Sequence, residues 1–228
     1  MKLIAVVGFI GYYIYHTANH SSHAQAVAKI YGQRSKGSSG AIAQDTSSSR
    51  PTYNITTTIP ATWKTYANKA YNFSIYYPSS WVPATTNNKL STVYASMPLV
   101  NYFSVDFQNP ATPGNSNLTY DFGVTVTNQS LSQTLATDEN SLVYNNTGPY
   151  SAVSAKVIGT KYYTFKGYKA VQLDVSITDK NTQLTGYNVD FIVYANGASY
   201  DFYSQNNDIN GVLSSSTVAT ALGSLSIY

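Results

Sequence analysis

The sequence predicts an α+β fold: an antiparallel β-sheet with two packed helices, preceded by an N-terminal hydrophobic helix and a flexible stalk. Three observations carry this. Runs of alternating apolar and polar residues recur through the second half of the chain, separated by short joins of turn residues. Two stretches outside those runs have helical spacing and a capping residue in front. The first fifty or so residues have a different texture, an uncharged apolar run followed by a Gly/Ser-rich stretch.

Composition narrows the function classes. The chain has 228 residues, of which only 10% are charged, against the usual ~25%. Ser, Thr, Asn and Gln take their place, together with 22 Tyr. Hydrophobic residues still make up 43%, enough for a packed core. The net charge of +3 is too weak and too dispersed for a nucleic-acid binder. The absence of Cys excludes disulfides, thiol catalysis and zinc–thiolate sites.

Lys2 precedes an uncharged run from Leu3 to Tyr15. As a helix it would be roughly 20 Å long, short of the ~30 Å hydrocarbon core. Two readings stand. One is a signal peptide, cleaved after Ser22-His23-Ala24 or Ala24-Gln25-Ala26. The other is an uncleaved anchor whose helix runs on through Ala28, so that residues 1–31 form one element and the membrane is a partner. Lys29, Arg34 and Lys36 favour keeping the body inside. The scarcity of charge, the sequons and a single glutamate, Glu139, favour export into an acidic exterior. Export is the expectation adopted, with the body extracellular or at the cell surface.

Residues 32–52 read as a stalk, and residues 53–228 as an extracytoplasmic α+β domain. Tyr53, Ile55, Thr57 and Ile59 alternate with Asn54, Thr56 and Thr58, a strand pattern closed by Pro60. It is either an edge strand of its own domain or a donor strand for the open sheet edge of a neighbouring subunit. Strands follow at Tyr71–Tyr77, Thr92–Ser96, Tyr102–Phe107 and Tyr120–Thr127. A helix is expected over Gln133–Tyr144, capped by Ser130 or Ser132. Four more strands, Ala155–Phe165, Tyr168–Ile177, Gln183–Tyr194 and Ser199–Ser204, are joined at Lys166-Gly167, Thr178–Asn181 and Ala195–Gly197. Such joins imply an antiparallel meander, and Asn196-Gly197 is a strong hairpin signal. A last helix is expected over Val212–Leu222, capped by Asp208 or Asn210.

The stretch Tyr71-Asn72-Phe73-Ser74-Ile75-Tyr76-Tyr77-Pro78-Ser79-Ser80-Trp81 resembles the opening of the PsbP/Mog1-like family, in which an aromatic strand runs into Pro-x-x-Trp. The order of the downstream elements is similar: a mid-chain helix, a strand opened by Gly167-Tyr168-Lys169-Ala170, a hairpin, and a last helix leading into Leu222–Ile227. The resemblance covers roughly residues 63–228. It implies an antiparallel sheet with helices on its faces, in a family of mostly binding, assembly or accessory proteins, many exported or lipid-anchored. This chain lacks the lipobox Cys of the lipoprotein members. The family shares no catalytic residues, so the resemblance implies no active site. It places Trp81 against the strand it ends and against the final helix, near Val218 or Leu222.

His16, His20 and His23 are the only histidines, and their spacing puts them on one helical face. Three imidazoles at such spacing can ligate a metal, but a polar membrane-exit segment explains them as well, and no metal or other cofactor is expected. With no His beyond residue 23, a nucleophilic Ser has no such base. Asp174, Asp190 and Asp201 fall on adjacent expected strands and could pair. Each lies between apolar neighbours, which reads as a solvent-face position. Asp138-Glu139 resembles a solvated helix face. Tyr66, Tyr71, Tyr76, Tyr162, Tyr163, Tyr187, Tyr194 and Tyr203 read as strand-coating contact surface. Glycan acceptors are expected at Asn54, Asn72, Asn117, Asn128 and Asn145, each within Asn-x-Ser/Thr. The functional expectation is a non-enzymatic, membrane-tethered or secreted surface protein that binds or scaffolds. The alternative is a structural subunit of a surface filament or archaeal virion, assembled with other subunits, including copies of itself, through its N-terminal segment.

Overall fold

The computed structural model describes residues 49–55, 57–90, 100–110, 122–136, 138, 153–206 and 216–228. The apolar run, the three histidines, the stalk as far as residue 48 and the strand expected at Thr92–Ser96 lie outside them.

Ten strands form two sheets among the described residues. The small one is built from β1 (Lys64–Asn68), β2 (Phe73–Tyr77) and β10 (Ser226–Ile227), in the order β1-β2-β10. The large one holds β3 (Val82–Leu90), β4 (Val100–Gln108), β5 (Phe122–Thr127), β6 (Val153–Phe165), β7 (Tyr168–Asp179), β8 (Thr185–Ala195) and β9 (Ala198–Asn206). Its order is β3-β4-β5-β9-β8-β7-β6, and every neighbouring pair is antiparallel. The predicted meander is the β6–β9 half. Its hairpins close at Lys166-Gly167 and Asn196-Gly197, all four residues at positive φ, as two-residue turns that match strand twist require.

Two helices flank the large sheet among the described residues: α1 (131–136 and 138) and α2 (Ser216–Ser224). The Ser130 Oγ accepts from the Gln133 N–H at 3.3 Å, while Gln133 Oε1 accepts from the Ser130 N–H at 2.9 Å. This reciprocal box makes Ser130 the cap of α1. Residues 207–215, which contain the expected caps of α2, lie outside the described residues. At its other end the Lys166 ammonium donates to the Gly223 and Leu225 carbonyls, both at 2.8 Å. A cation there complements the helix dipole.

The alternation of each strand gives the large sheet two different faces. One presents Phe103, Val105, Phe107, Phe122, Val124, Phe165, Phe191, Val193, Tyr200 and Phe202. Phe73, Ile75 and Tyr77 of β2 and Val218, Ala221 and Leu222 of α2 pack onto it. The other face carries a smaller apolar cluster, Ala155, Val157, Val171, Leu173, Val175, Ile177 and Ile192, on which Leu131 and Leu135 of α1 rest. The register shift between Val157 and Gly159 turns the two ends of β6 to opposite faces.

Three expectations are corrected. Residues 53–55 and 57–60 form no ladder; the strap's pairing among the described residues is an isolated parallel bridge from Thr52 to Thr164. The Tyr53 ring instead sits 4.8 Å from that of Tyr163 and 4.7 Å from that of Phe191. Its alternation records burial in a groove, not strand pairing. The polar β1 and β3 carry no strand signal in the sequence, yet both pair. Nine consecutive register pairs with β4 hold Val82–Leu90 extended despite Pro83 and the Thr/Asn run. Trp81 is half-buried against the main core to which β2 and α2 both contribute, with its indole 5.5 Å from Phe122 of β5. Tyrosines read as surface point inward: Tyr203 is 4% exposed, and Tyr66, Tyr71 and Tyr163 pack on the main core. Among the described residues no helix is long and apolar enough to cross a membrane.

Candidate functional site

The chemistry-bearing side chains of the described residues gather on the α1 side of the large sheet. The pairings Asp106↔Gly123, Gly123↔Tyr203, Tyr203↔Asp190 and Asp201↔Ile192 place Asp106, Tyr203, Asp190 and Asp201 on one face. Asn188 precedes Asp190 by two and shares that face. Asp138, itself helical beyond residue 137, lies close enough to Asp190 and Asp201 for their charges to interact. The solvent-face reading of Asp190 is therefore wrong, because helix and sheet enclose it: Asp190 is 7% exposed and Asn188 fully buried. Asp174 is buried too, but its register with Val189 puts it on the opposite face, near Tyr53. The expected pairing among three carboxylates thus reduces to Asp190 with Asp201, joined by Asp138, a half-buried residue whose Oδ2 is buried and so not on a solvated helix face.

Tyr203 reaches Asp106 by crossing a strand. Its phenol donates to Asp106 Oδ1 at 2.5 Å over the intervening Gly123. A Cβ at Gly123 would lie 2.3 Å from the Tyr203 ring, so that position requires glycine. Burial raises Asp106 above the usual carboxylate range, and the tyrosine hydrogen bond pulls the other way.

Asp190 Oδ1 accepts from Asn188 Nδ2 at 2.5 Å. Burial nevertheless pushes its pKa up to about 7, with the charge of Asp174 adding to the rise against the Asn188 hydrogen bond. Asp201 and Asp138 are raised well above the ordinary value, first by burial and then by the neighbouring carboxylates. Asp138 Oδ2, Asp201 Oδ1 and Asn188 Oδ1 are buried without a hydrogen-bond partner among the described residues. Such a group can hold protons. No set of three or more His, Cys, Asp or Glu is arranged to hold a metal ion among the described residues.

On the other face Asp174 is satisfied by Gln172 Nε2 at 2.6 Å and Lys161 Nζ at 3.3 Å. Tyr53 lies beyond them, carried in by a strap, residues 50–60, that crosses the sheet. The Thr164 N–H donates to the Pro51 carbonyl and the Tyr53 N–H to the Thr164 carbonyl. A Cβ at Gly223 would stand 2.9 Å from Ile55 Cγ2, so the strap also passes against the end of α2. Tyr53, Ile55 and Thr57 thus pack against their own domain, and Ile59 is half-buried. Of the glycan acceptors, Asn54, Asn72 and Asn128 are exposed, whereas Asn117 and Asn145 lie outside the described residues.

No family model and no curated protein matches the sequence. Among solved structures, the solution structure of cyanobacterial PsbP (CyanoP) from Synechocystis sp. PCC 6803 aligns with a TM-score of 0.51 at 12% identity, over 77% of this chain and 98% of that one. The fold is PsbP-like. A Bacteroides thetaiotaomicron crystal structure aligns with a TM-score of 0.37 at 10% identity, over 73% of this chain and 49% of that one. The PsbP-like likeness concerns architecture, and at this identity it carries over no site residue.

Proposed function

We propose that this PsbP-like domain is a non-enzymatic binding or scaffolding module, exported and held at the cell surface by its N-terminal segment or secreted from it. The observation that carries this reading is the strap. Everything upstream joins the body through residues 50–60, which are fixed to the sheet by the Thr52–Thr164 bridge and by the half-buried Tyr53 ring against Phe191. A load on the stalk is thereby passed to the main core and not to a free loop, as suits a tethered domain. Protease treatment of intact host cells, with the C-terminus tagged, tests it. The body should be degraded without lysis, and an intact-mass measurement should report whether residues 1–31 remain. A body protected until lysis would overturn the proposal.

One observation favours the structural-subunit reading. The strap is held by a bridge and side-chain burial, with no continuous ladder, so exchanging it between copies would break few backbone hydrogen bonds. Antibody-labelled filaments or particles would support that reading, and dispersed labelling would refute it.

A further inference from the structure

We propose that α1 is a latch held on the sheet by protons: Asp138 shares a closed site with Asp190 of β8 and Asp201 of β9, and the helix stays seated only while that site is protonated.

The geometry comes first. The site has three carboxyl groups and one buried amide. On β4, β5 and β9 the neighbouring groups are Asp106 and Tyr203, already hydrogen-bonded to each other across Gly123. On β8 they are Asn188 and, towards the far end, Tyr194. On β7 the same face offers Lys169, exposed at the strand's start, and Asp179 at its far end, which takes N–H donors from Asn181 and Thr182. On β6 it offers Tyr162, over whose ring the Arg50 guanidinium lies at 5.3 Å from the centroid. Lys161 is engaged with Asp174 on the opposite face. Like charges in a closed site cannot all ionise unless water enters. The oxygens of Asp138, Asp201 and Asn188 that lack partners are the acceptors that carboxylic protons would use. Burial holds these carboxyls protonated far above the pH at which a free one would ionise.

The helix is the element that can yield. The β8–β9 ladder runs nine register pairs through the site, so neither strand can leave without unzipping its neighbour. By contrast, α1 belongs to neither sheet and is held by its packing, as most protein helices are. It rests on the sheet through Leu131 and Leu135 and through the Asp138 end. Ionising the site therefore lifts α1 and bares Val171, Leu173 and Ile192. In acid the face is closed; towards neutral and alkaline pH it opens as an apolar surface.

Hydrogen exchange on the full-length protein, corrected for intrinsic rates, tests the latch. Protection of 131–136 should fall at least tenfold further than that of the β7–β8 amides between pH 5 and pH 9, while binding of a hydrophobic dye rises. In Asp138→Asn and, separately, Asp201→Asn, neutral at every pH, the fall should shrink or vanish. Protection of α1 that is flat from pH 5 to 9 in the wild type would overturn the proposal. So would a loss shared equally by β7 and β8, which would mean whole-domain destabilisation. The wild-type profile decides even if both variants fail to fold.

Discussion

Tyr203 on β9 and Asp106 on β4 are hydrogen-bonded at 2.5 Å although β5 runs between their strands. Only a residue without a side chain on β5 leaves room for the ring, and Gly123 supplies it. One contact therefore ties three central strands together.

Gly123→Ala should be strongly destabilising, since the added methyl overlaps a buried ring that backs onto β5. Overpacking of this kind costs about 1–3 kcal/mol, and occasionally more. Tyr203→Phe removes the donor and leaves Asp106 buried without that hydrogen bond, at a cost of about 1–3 kcal/mol. Urea unfolding checks both. If Gly123→Ala unfolds at the wild-type midpoint, the ring does not lie over that glycine.

Stability should be highest in acid. Asp106, Asp138, Asp190 and Asp201 all have folded-state pKa values above their unfolded ones. Their stabilisation is whole below about pH 4, the unfolded carboxylate value, and is lost as pH rises through the folded values, about 7 for Asp190. Asp179, exposed and lowered first by the Thr182 N–H and then by that of Asn181, works in the opposite sense at the acid end. Urea midpoints should fall from pH 5 to pH 9, and the slope should be shallower in Asp190→Asn. A midpoint that rises over that range would contradict the burial of these carboxyls.

Tyr53→Ala should loosen the strap. The lost ring touches Tyr163 and Phe191, and aromatic pairs contribute about 0.5–1.5 kcal/mol each beyond burial. Limited proteolysis should then cut within 50–60 before the body unfolds, whereas Tyr76→Ala, at a 37% exposed position, should leave the digestion pattern unchanged. Equal resistance of Tyr53→Ala and wild type would argue against the docking of the strap.

Trp81→Ala should cost less than the ~3–5 kcal/mol of a fully buried ring, because the indole is half-buried against Phe122. With Trp63 replaced by Phe, acrylamide should quench Trp81 to an intermediate degree. Quenching as complete as for free indole would remove the Phe122 contact.

Glycan mapping of the native protein should find modification at two or more of Asn54, Asn72, Asn117, Asn128 and Asn145. Asn54, Asn72 and Asn128 have the exposure that transfer requires. Five unmodified peptides would count against export.

The strands and hairpins of the meander were legible in the sequence because they are local. Alternation along Tyr168–Asp179 and Thr185–Ala195 reports a pleated, packed surface, and Asn196-Gly197 reports a tight turn, without reference to distant residues. The cap at Ser130 and the aromatic face of Phe73, Ile75 and Tyr77 are local in the same sense, and with Pro78 and Trp81 they carry the PsbP-like resemblance. Tertiary structure alone decided the rest. Val82–Leu90 is a strand because β4 pairs with it, and residues 53–55 and 57–59 do not form one because their side chains pack against the domain instead. Asp190 looked like a solvent-face residue because alternation separates two faces without saying what covers each. Here α1 covers the second face, which makes Asp190, Asp201 and Asp138 a buried acid site. Residues far apart in the chain meet there, and their protonation is fixed by the water that packing excludes.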